Sequence, residues 1–126
     1  AGMLNGEKTG FRPTVEDMYA GYTVIENKFT GNTTIGIVMT NACFDKSRLC
    51  KIAGMAQNGL ARSIRPVHTS ADGDSVYAMS VGTVQADMDM LGTLAADVMS
   101  EAILSAVKNA ETAYGYISVN DFLTEY

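Results

Sequence analysis

Two apolar stretches, each followed by a long helical stretch, limit this chain of 126 residues to an α/β architecture. The first stretch, Thr33 to Thr40, predicts a strand. Its centre from Ile35 to Met39 contains no polar side chain, which is typical of burial on both faces. The second stretch, Ser75 to Val81, has the same character and ends at Gly82. Gly36, inside the first strand, indicates that another backbone packs close to it.

A helical period follows each strand. Asp45 predicts the N-cap of the first helix, and Asp87 predicts the N-cap of the second, over residues 88–109. Apolar residues recur at steps of three and four in both helices, as expected for helices with one buried face. The stripes consist of Leu49, Ile52, Ala53, Ala56, Leu60 and Ile64 in the first helix, and of Leu91, Leu94, Ala95, Val98, Ala102, Ala106 and Val107 in the second. Because a glycine costs a helix about 1 kcal/mol relative to alanine, Gly54 and Gly59 predict close packing on a neighbouring element.

Two strands make a sheet smaller than the usual four to six. We therefore expect the missing strands to come from another polypeptide or from another copy of the chain. The chain begins with Ala1 rather than methionine, which favours a processed or trimmed piece of a longer protein. The flanking segments predict a short helix from Val15 to Ala20, stopped by Gly21, an extended segment from Tyr22 to Phe29, and a short strand from Tyr116 to Val119.

Composition excludes several classes of function. The formal net charge of −5 argues against nucleic acid or an anionic membrane as partner, because both require a basic face. No uninterrupted apolar run approaches the roughly 20 residues that span a bilayer. Cys43 and Cys50 are interpreted as free thiols of a reducing compartment, so the predicted location is the cytoplasm. Two thiols and one histidine are too few ligands to favour a zinc site, and no cofactor is predicted.

Thr33 is the first candidate for chemistry. It opens the first strand directly after Gly31 and Asn32, a sequence typical of a tight turn. A β-branched residue at the start of a strand is ordinary strand composition. The same hydroxyl, fixed at the N-terminal end of a strand, would also suit a nucleophile, and the residues themselves leave both interpretations open.

Asp72 and Asp74 flank Gly73, and an Asp-Gly pair is a common turn signal. The two carboxylates would also suit the orientation of a base or an ammonium group. His68 is either a hydrogen-bonded structural residue or the base of a Thr/His/Asp triad. Arg62 and Arg65 either pair with acidic residues of the fold or bind a substrate carboxylate.

Three segments together resemble a known family. They are Asn32 to Ala42, Gly59 to Thr69 with the sequence GLARSIRPVHT, and Asp72-Gly73-Asp74. In this order and spacing they resemble the self-processing L-aminopeptidase/D-esterase family, which includes β-peptidyl aminopeptidases and nylon-oligomer hydrolases. The likeness extends from about Asn32 to Val107. It is greater for the nylon-hydrolase branch, because other members carry Ser and Glu at the places of the two aspartates.

The resemblance implies a four-layer αββα sandwich like that of N-terminal-nucleophile hydrolases, of which this chain supplies only a part. It implies self-cleavage between Asn32 and Thr33. Residues 1–32 would then end the larger piece of the precursor, and residues 33–126 would form the smaller piece that carries the nucleophile. The implied catalytic residues are Thr33, Asp72 and Asp74. The implied partners are the larger piece, which would supply the oxyanion hole, and further copies in a homo-oligomer.

The leading hypothesis is therefore an autoprocessing N-terminal-threonine aminopeptidase or amidase. It would act on small peptides, amino-acid amides or esters through an acyl-enzyme on Thr33. Two alternatives remain open at this stage. One is a non-catalytic, unprocessed scaffold or ligand-binding fragment of the same fold. The other is an acyl transferase like the ornithine acetyltransferases, which also use an N-terminal threonine.

Overall fold

A computed structural model describes residues 14–21 and 33–123 of the chain. The elements in order are α1 (Thr14–Tyr19), β1 (Ile35–Ala42), α2 (Lys46–Ser63), β2 (Ser75–Val84), α3 (Met88–Lys108) and α4 (Val119–Leu123). β1 and β2 form a parallel two-stranded sheet. The predicted α/β architecture is thus confirmed. The predicted extended segment from Tyr22 to Phe29 lies outside the described residues.

Both strands are shifted or longer than predicted. β1 begins two residues after Thr33 and continues to Ala42, and β2 passes through Gly82 to Val84. The parallel register pairs Ile35 with Ser75, and an irregularity follows where Ala42 pairs with Val84. An ideal Cβ on Gly82 would lie 2.0 Å from the carbonyl oxygen of Asn41. Gly82 is therefore a position where the two strand backbones approach closely, and not the end of the strand.

Among the described residues the sheet is covered on one face only, so the prediction of burial on both faces is wrong for β1 in this part of the chain. Ile35, Ile37 and Met39 are exposed, whereas the residues between them point towards the helices. Tyr77, Met79 and Val81 continue the exposed face on β2. These six residues are called the open sheet face below. On the covered face, Gly36 lies against the side chain of Met99 from α3, with an ideal Cβ 2.8 Å from Met99 Cε, and not against a backbone.

Helices α2 and α3 pack against each other on the covered face, and both begin at the predicted caps. Asp45 Oδ1 accepts the N–H of Arg48, and Asp87 Oδ1 accepts the N–H of Met90, each at 2.8 Å. The buried core contains Ala42, Phe44, Ile52, Ala56, Leu60, Ala95 and Met99. This cluster joins both helices to the sheet, and it includes the centre of the predicted α2 stripe.

The two glycines of α2 differ. An ideal Cβ on Gly59 would lie 2.5 Å from the carbonyl oxygen of Ala96, so Gly59 allows the two helices to approach, as predicted. An ideal Cβ on Gly54 would meet nothing within 4 Å, so the packing prediction for Gly54 is wrong. The contact between the helices is extended by an ion pair of Arg62 with Asp97.

The face of α3 that meets the core is shifted from the predicted stripe, which is correct for Leu91 and Ala95. Gly92, Ala95, Ala96 and Met99 are buried, whereas Leu94 and Val98 are 54% exposed. The small residues are inside because they let α2 approach closely, and the larger apolar residues therefore remain outside. By length and composition alone α3 would be able to cross a membrane. In this structure, however, its small residues are buried against α2 and Asp97 forms an ion pair with Arg62, as in a helix packed within a protein core.

The flanking segments agree in part. The short first helix begins one residue earlier than predicted, and Gly21 follows it with φ of 77°, as expected for a glycine that ends a helix. The predicted strand from Tyr116 to Val119 is wrong. Only an isolated bridge between Ala113 and Tyr116 forms there, and helix α4 begins at Val119.

Candidate active site

Thr33 lies immediately before β1, and its side chain contacts the segment that leads into the neighbouring strand. An ideal Cβ on Gly73 would lie 2.9 Å from Thr33 Oγ1 and 3.7 Å from Thr33 Cγ2. The two strands begin side by side because their pairing is parallel, so the residues before each strand meet at one edge of the sheet. Thr33 itself is exposed, which leaves its hydroxyl accessible.

The residue after Thr33 is fixed through both of its backbone groups. The N–H of Thr34 donates to Asp74 Oδ1 at 2.9 Å, and the carbonyl oxygen of Thr34 accepts the N–H of Ser75 at 2.9 Å. The first bond holds the peptide between Thr33 and Thr34, and the second holds the peptide between Thr34 and Ile35. The position of the Thr33 hydroxyl relative to Gly73 therefore depends on Asp74.

The carboxylate of Asp74 is the buried centre of this site. Its side chain is only 7% exposed, and Oδ1 is engaged by the Thr34 N–H. The other oxygen, Oδ2, lies 3.2 Å from His68 Nδ1, within the range of an N–H···O contact. Burying a carboxylate costs free energy unless it has polar partners. In the described part of the chain, the Thr34 N–H and His68 Nδ1 are the groups that offset the cost of burying Asp74.

Asp72 has a different function in the fold. Its Oδ2 accepts the N–H of Thr69 at 2.6 Å, and its own N–H donates to the carbonyl oxygen of Thr69 at 3.1 Å. The two bonds close a turn from Thr69 to Asp72, with Ser70 and Ala71 at its centre. The turn predicted at Asp72-Gly73-Asp74 is therefore wrong in position, because it lies just before these residues and Asp72 closes it. Within residues 33–123 the carboxylate of Asp72 makes no hydrogen bond to Thr33.

The three predicted catalytic residues, Thr33, Asp72 and Asp74, thus lie at one edge of the sheet, although neither carboxylate bonds the Thr33 hydroxyl directly. Asn32, the other side of the predicted cleavage site, lies outside the described residues. His68 contacts Asp74, which is one of the two contacts that a Thr/His/Asp triad requires. The other contact, a hydrogen bond between His68 and Thr33, is not present among the described residues.

Arg62 pairs with Asp97 rather than with the site, which agrees with the simpler of its two interpretations. The described residues contain no group of three or more His, Cys, Asp or Glu side chains arranged to bind a metal ion.

The sequence interpretation missed two contributors. The N–H of Thr34 is one, because a backbone group leaves no signal in the side-chain pattern. Gly73 is the other, since it was interpreted only as a turn residue. The available signal for Gly73 was its place between the two aspartates, where a parallel partner strand would bring Thr33 next to it.

Comparison with known proteins places this site in context. Residues 3–119 match peptidase family S58. An uncharacterized aminopeptidase of Mycobacterium leprae is 34% identical over 125 aligned residues, covering 86% of this chain and 34% of that protein. A 6-aminohexanoate-oligomer endohydrolase of Kocuria sp. is 31% identical over 91 residues, covering 62% of this chain and 26% of that protein. The chain thus spans about a third or less of the length of these relatives. No solved structure matches it significantly.

Proposed function

Since this chain belongs to peptidase family S58, we propose that it is the nucleophile-bearing part of a self-processing hydrolase, with Thr33 as nucleophile. The observation that carries the proposal is the fixed position of Thr33 at the start of the parallel sheet. Its hydroxyl lies against Gly73, and the next peptide N–H is bonded to the buried carboxylate of Asp74. A nucleophile requires this combination of accessibility and fixed orientation.

Self-cleavage would proceed by an acyl shift within the precursor. Thr33 Oγ attacks the carbonyl carbon of Asn32, the bond to the Thr33 nitrogen breaks, and an ester replaces the amide. Water then hydrolyses the ester, which releases the Asn32 carboxylate and the Thr33 hydroxyl together with a free α-amine. An α-amine has an unperturbed pKa of about 7.7–8.0, so it suits a base for its own hydroxyl near neutral pH.

The processed enzyme would use the same hydroxyl on substrates. Thr33 Oγ attacks an amide or ester carbonyl, the leaving group takes a proton, and the resulting acyl-enzyme is hydrolysed by water. We assign the substrates to small peptides, amino-acid amides or esters. The names of the relatives, an aminopeptidase and an oligomer endohydrolase, support this range. In this proposal Asp74 orients the start of β1, and Asp72 maintains the turn that positions Gly73 and Asp74.

The larger piece of the same precursor is the proposed partner of this chain. Parallel sheets are found almost only with both faces covered, yet Ile37 and Met39 of the open sheet face are 62% and 66% exposed. A second sheet with an apolar inner face would cover these residues and complete the four-layer αββα sandwich. We assign that second sheet and the oxyanion hole to the larger piece, and the division of the chain to residues 1–32 and 33–126.

The outer face of α3 is the proposed contact between copies of the assembled protein. Met90, Leu94 and Val98 lie four residues apart, on one side of the helix, and each is more than half exposed. A homo-oligomer would bury this row. The cytoplasm remains the proposed location, on the evidence of the exposed free thiols Cys43 and Cys50.

The test is intact-mass analysis of the full-length precursor, as wild type and as Thr33→Ala. The wild type should yield a fragment beginning at Thr33, and Thr33→Ala should remain uncut and should not hydrolyse aminoacyl amides. The neighbouring variant Thr34→Ala is the matched control, since it retains the backbone groups seen in the site and should still be cut before Thr33. A wild type that stays full-length, or hydrolysis retained in Thr33→Ala, would contradict the proposal and favour an unprocessed scaffold or a different nucleophile.

A further inference from the structure

The contact between His68 and Asp74 connects the turn before β2 to the start of β1. His68 Nδ1 lies 3.2 Å from Asp74 Oδ2, and the opposite oxygen of the same carboxylate accepts the Thr34 N–H at 2.9 Å. A carboxylate has only acceptor oxygens, so a contact of this length is favourable when Nδ1 carries the proton. The side chain of His68 is 39% exposed, whereas that of Asp74 is 7% exposed.

The orientation of the Asp74 carboxylate affects the position of Thr33, because Oδ1 accepts the N–H of the next residue, Thr34. A carboxylate rotates about its last side-chain bond unless both oxygens are engaged. With Oδ2 engaged by His68, Oδ1 stays directed at the Thr34 N–H. That N–H belongs to the peptide that follows Thr33, and the Thr34 carbonyl, which accepts the N–H of Ser75, holds the next peptide.

The backbone of His68 is left-handed, with φ of 55°. This region is uncommon for residues other than glycine, and Asn, Asp and His are enriched among those that adopt it. A glycine or an asparagine would satisfy this backbone more easily. The presence of a histidine is explained if its ring contributes something that a glycine cannot.

From these contacts we propose that His68 is a positioning residue for Thr33. Its Nδ1 contacts Asp74 Oδ2, keeps Asp74 Oδ1 on the Thr34 N–H, and thereby sets the Thr33 hydroxyl for attack. The inference rests on the proposed function, because it concerns the same nucleophile. It assigns His68 no direct contact with the reacting atoms, which separates it from the base of a Thr/His/Asp triad.

The left-handed backbone of His68 provides matched variants. His68→Gly relieves the backbone and removes the ring, so it tests the side chain without strain. His68→Asn also tolerates this backbone, and its amide nitrogen occupies nearly the place of Nδ1 and retains a donor. His68→Gln places its amide nitrogen nearer to the position of Nε2 and should not replace the contact.

The experiment measures the rate of self-cleavage of the full-length precursor by intact mass, for wild type and the three variants, with folding monitored by circular dichroism. His68→Gly and His68→Gln should slow cleavage by about tenfold or more, the usual effect of losing a hydrogen bond to a charged group. His68→Asn should recover most of the lost rate. The melting temperature of His68→Gly should stay close to that of the wild type even though cleavage is slower, because glycine adopts the left-handed backbone at this position without strain.

The outcomes separate this inference from the function on which it rests. If the wild type is cut and His68→Gly is cut equally fast, the positioning function of His68 is wrong, and the assignment of Thr33 as nucleophile is unaffected. If His68→Asn is as slow as His68→Gly while His68→Gln is fast, the Nε2 side of the ring is the active one, and the inference is overturned in favour of a triad. If the wild type is not cut, the proposed function fails, and this inference fails with it.

Discussion

The contact between Gly73 and Thr33 allows the proposed nucleophile to be displaced by a substitution at a different residue. An ideal Cβ at residue 73 would lie 2.9 Å from Thr33 Oγ1, whereas ordinary van der Waals contact begins at about 3.4 Å. In Gly73→Ala the hydroxyl must therefore retreat by about 0.5 Å. The backbone of Gly73 is not in the left-handed region, so alanine fits it without strain.

The expected effect on rate follows from this displacement. A misplacement of about 1 Å can cost a reaction about 100-fold, so a shift of half that size predicts self-cleavage about tenfold slower, or about 1.4 kcal/mol in the barrier. Stability should not decrease. Thr33 is exposed, so its side chain has room for this small shift, and replacing a glycine by alanine at a compatible position stabilises by about 0.4–1 kcal/mol through the unfolded state.

The assay is the time course of self-cleavage in the full-length precursor, with thermal unfolding measured on the same samples. Gly54→Ala is the matched control, because its new methyl group would meet nothing within 4 Å and lies on exposed helix surface. It should be cut at the rate of the wild type. Gly73→Ala with wild-type cleavage, or with cleavage lost together with the fold, would refute the reasoning that the hydroxyl is set by this contact.

Three further predictions concern the site, the helix packing and the open sheet face. Asp74→Asn should slow self-cleavage more than about tenfold, because one amide oxygen cannot accept both contacts of the carboxylate; an unchanged rate would contradict this. Gly59→Ala should lower the free energy of unfolding by about 1–3 kcal/mol in thermal or urea melts, because its methyl group would meet the Ala96 carbonyl oxygen at 2.5 Å, and melting like that of the wild type would be evidence against this packing. Ile37→Glu should make the two processed pieces elute separately in gel filtration, since a charge would face the second sheet, and co-elution would exclude that face as the contact.

Local chemistry made much of the fold predictable. Asp45 and Asp87 cap their helices because a short acidic side chain accepts the N–H three residues later, a contact within one turn. The alternation of strand and helix likewise follows from apolar runs and helical periods. The face of α3 was not predictable in this way. Leu94 and Val98 are the more hydrophobic residues, yet the small residues beside them are buried because α2 packs closely there.

Burial on both faces of β1 was predicted from its continuous apolar run, and the residues that the structure describes cover only one face. The side-chain pattern is the one expected of a strand within a sandwich. Strand composition indicates that a face is apolar, but it does not say which element or which polypeptide covers that face. The same limit applies to the tail, where an isolated bridge and helix α4 replaced the predicted strand.

The sequence by itself determined the strand–helix alternation, and its resemblance to a known family pointed to Thr33, Asp72 and Asp74 as the proposed catalytic residues. Only the tertiary structure decided how the three residues relate. Parallel pairing brings Thr33 to Gly73 and the Thr34 N–H to Asp74 across 40 positions of sequence. It also directs Asp72 to the turn and Asp74, with His68, to the start of β1. These assignments depend on backbone groups and on the register between strands, and neither can be inferred from the types of the side chains.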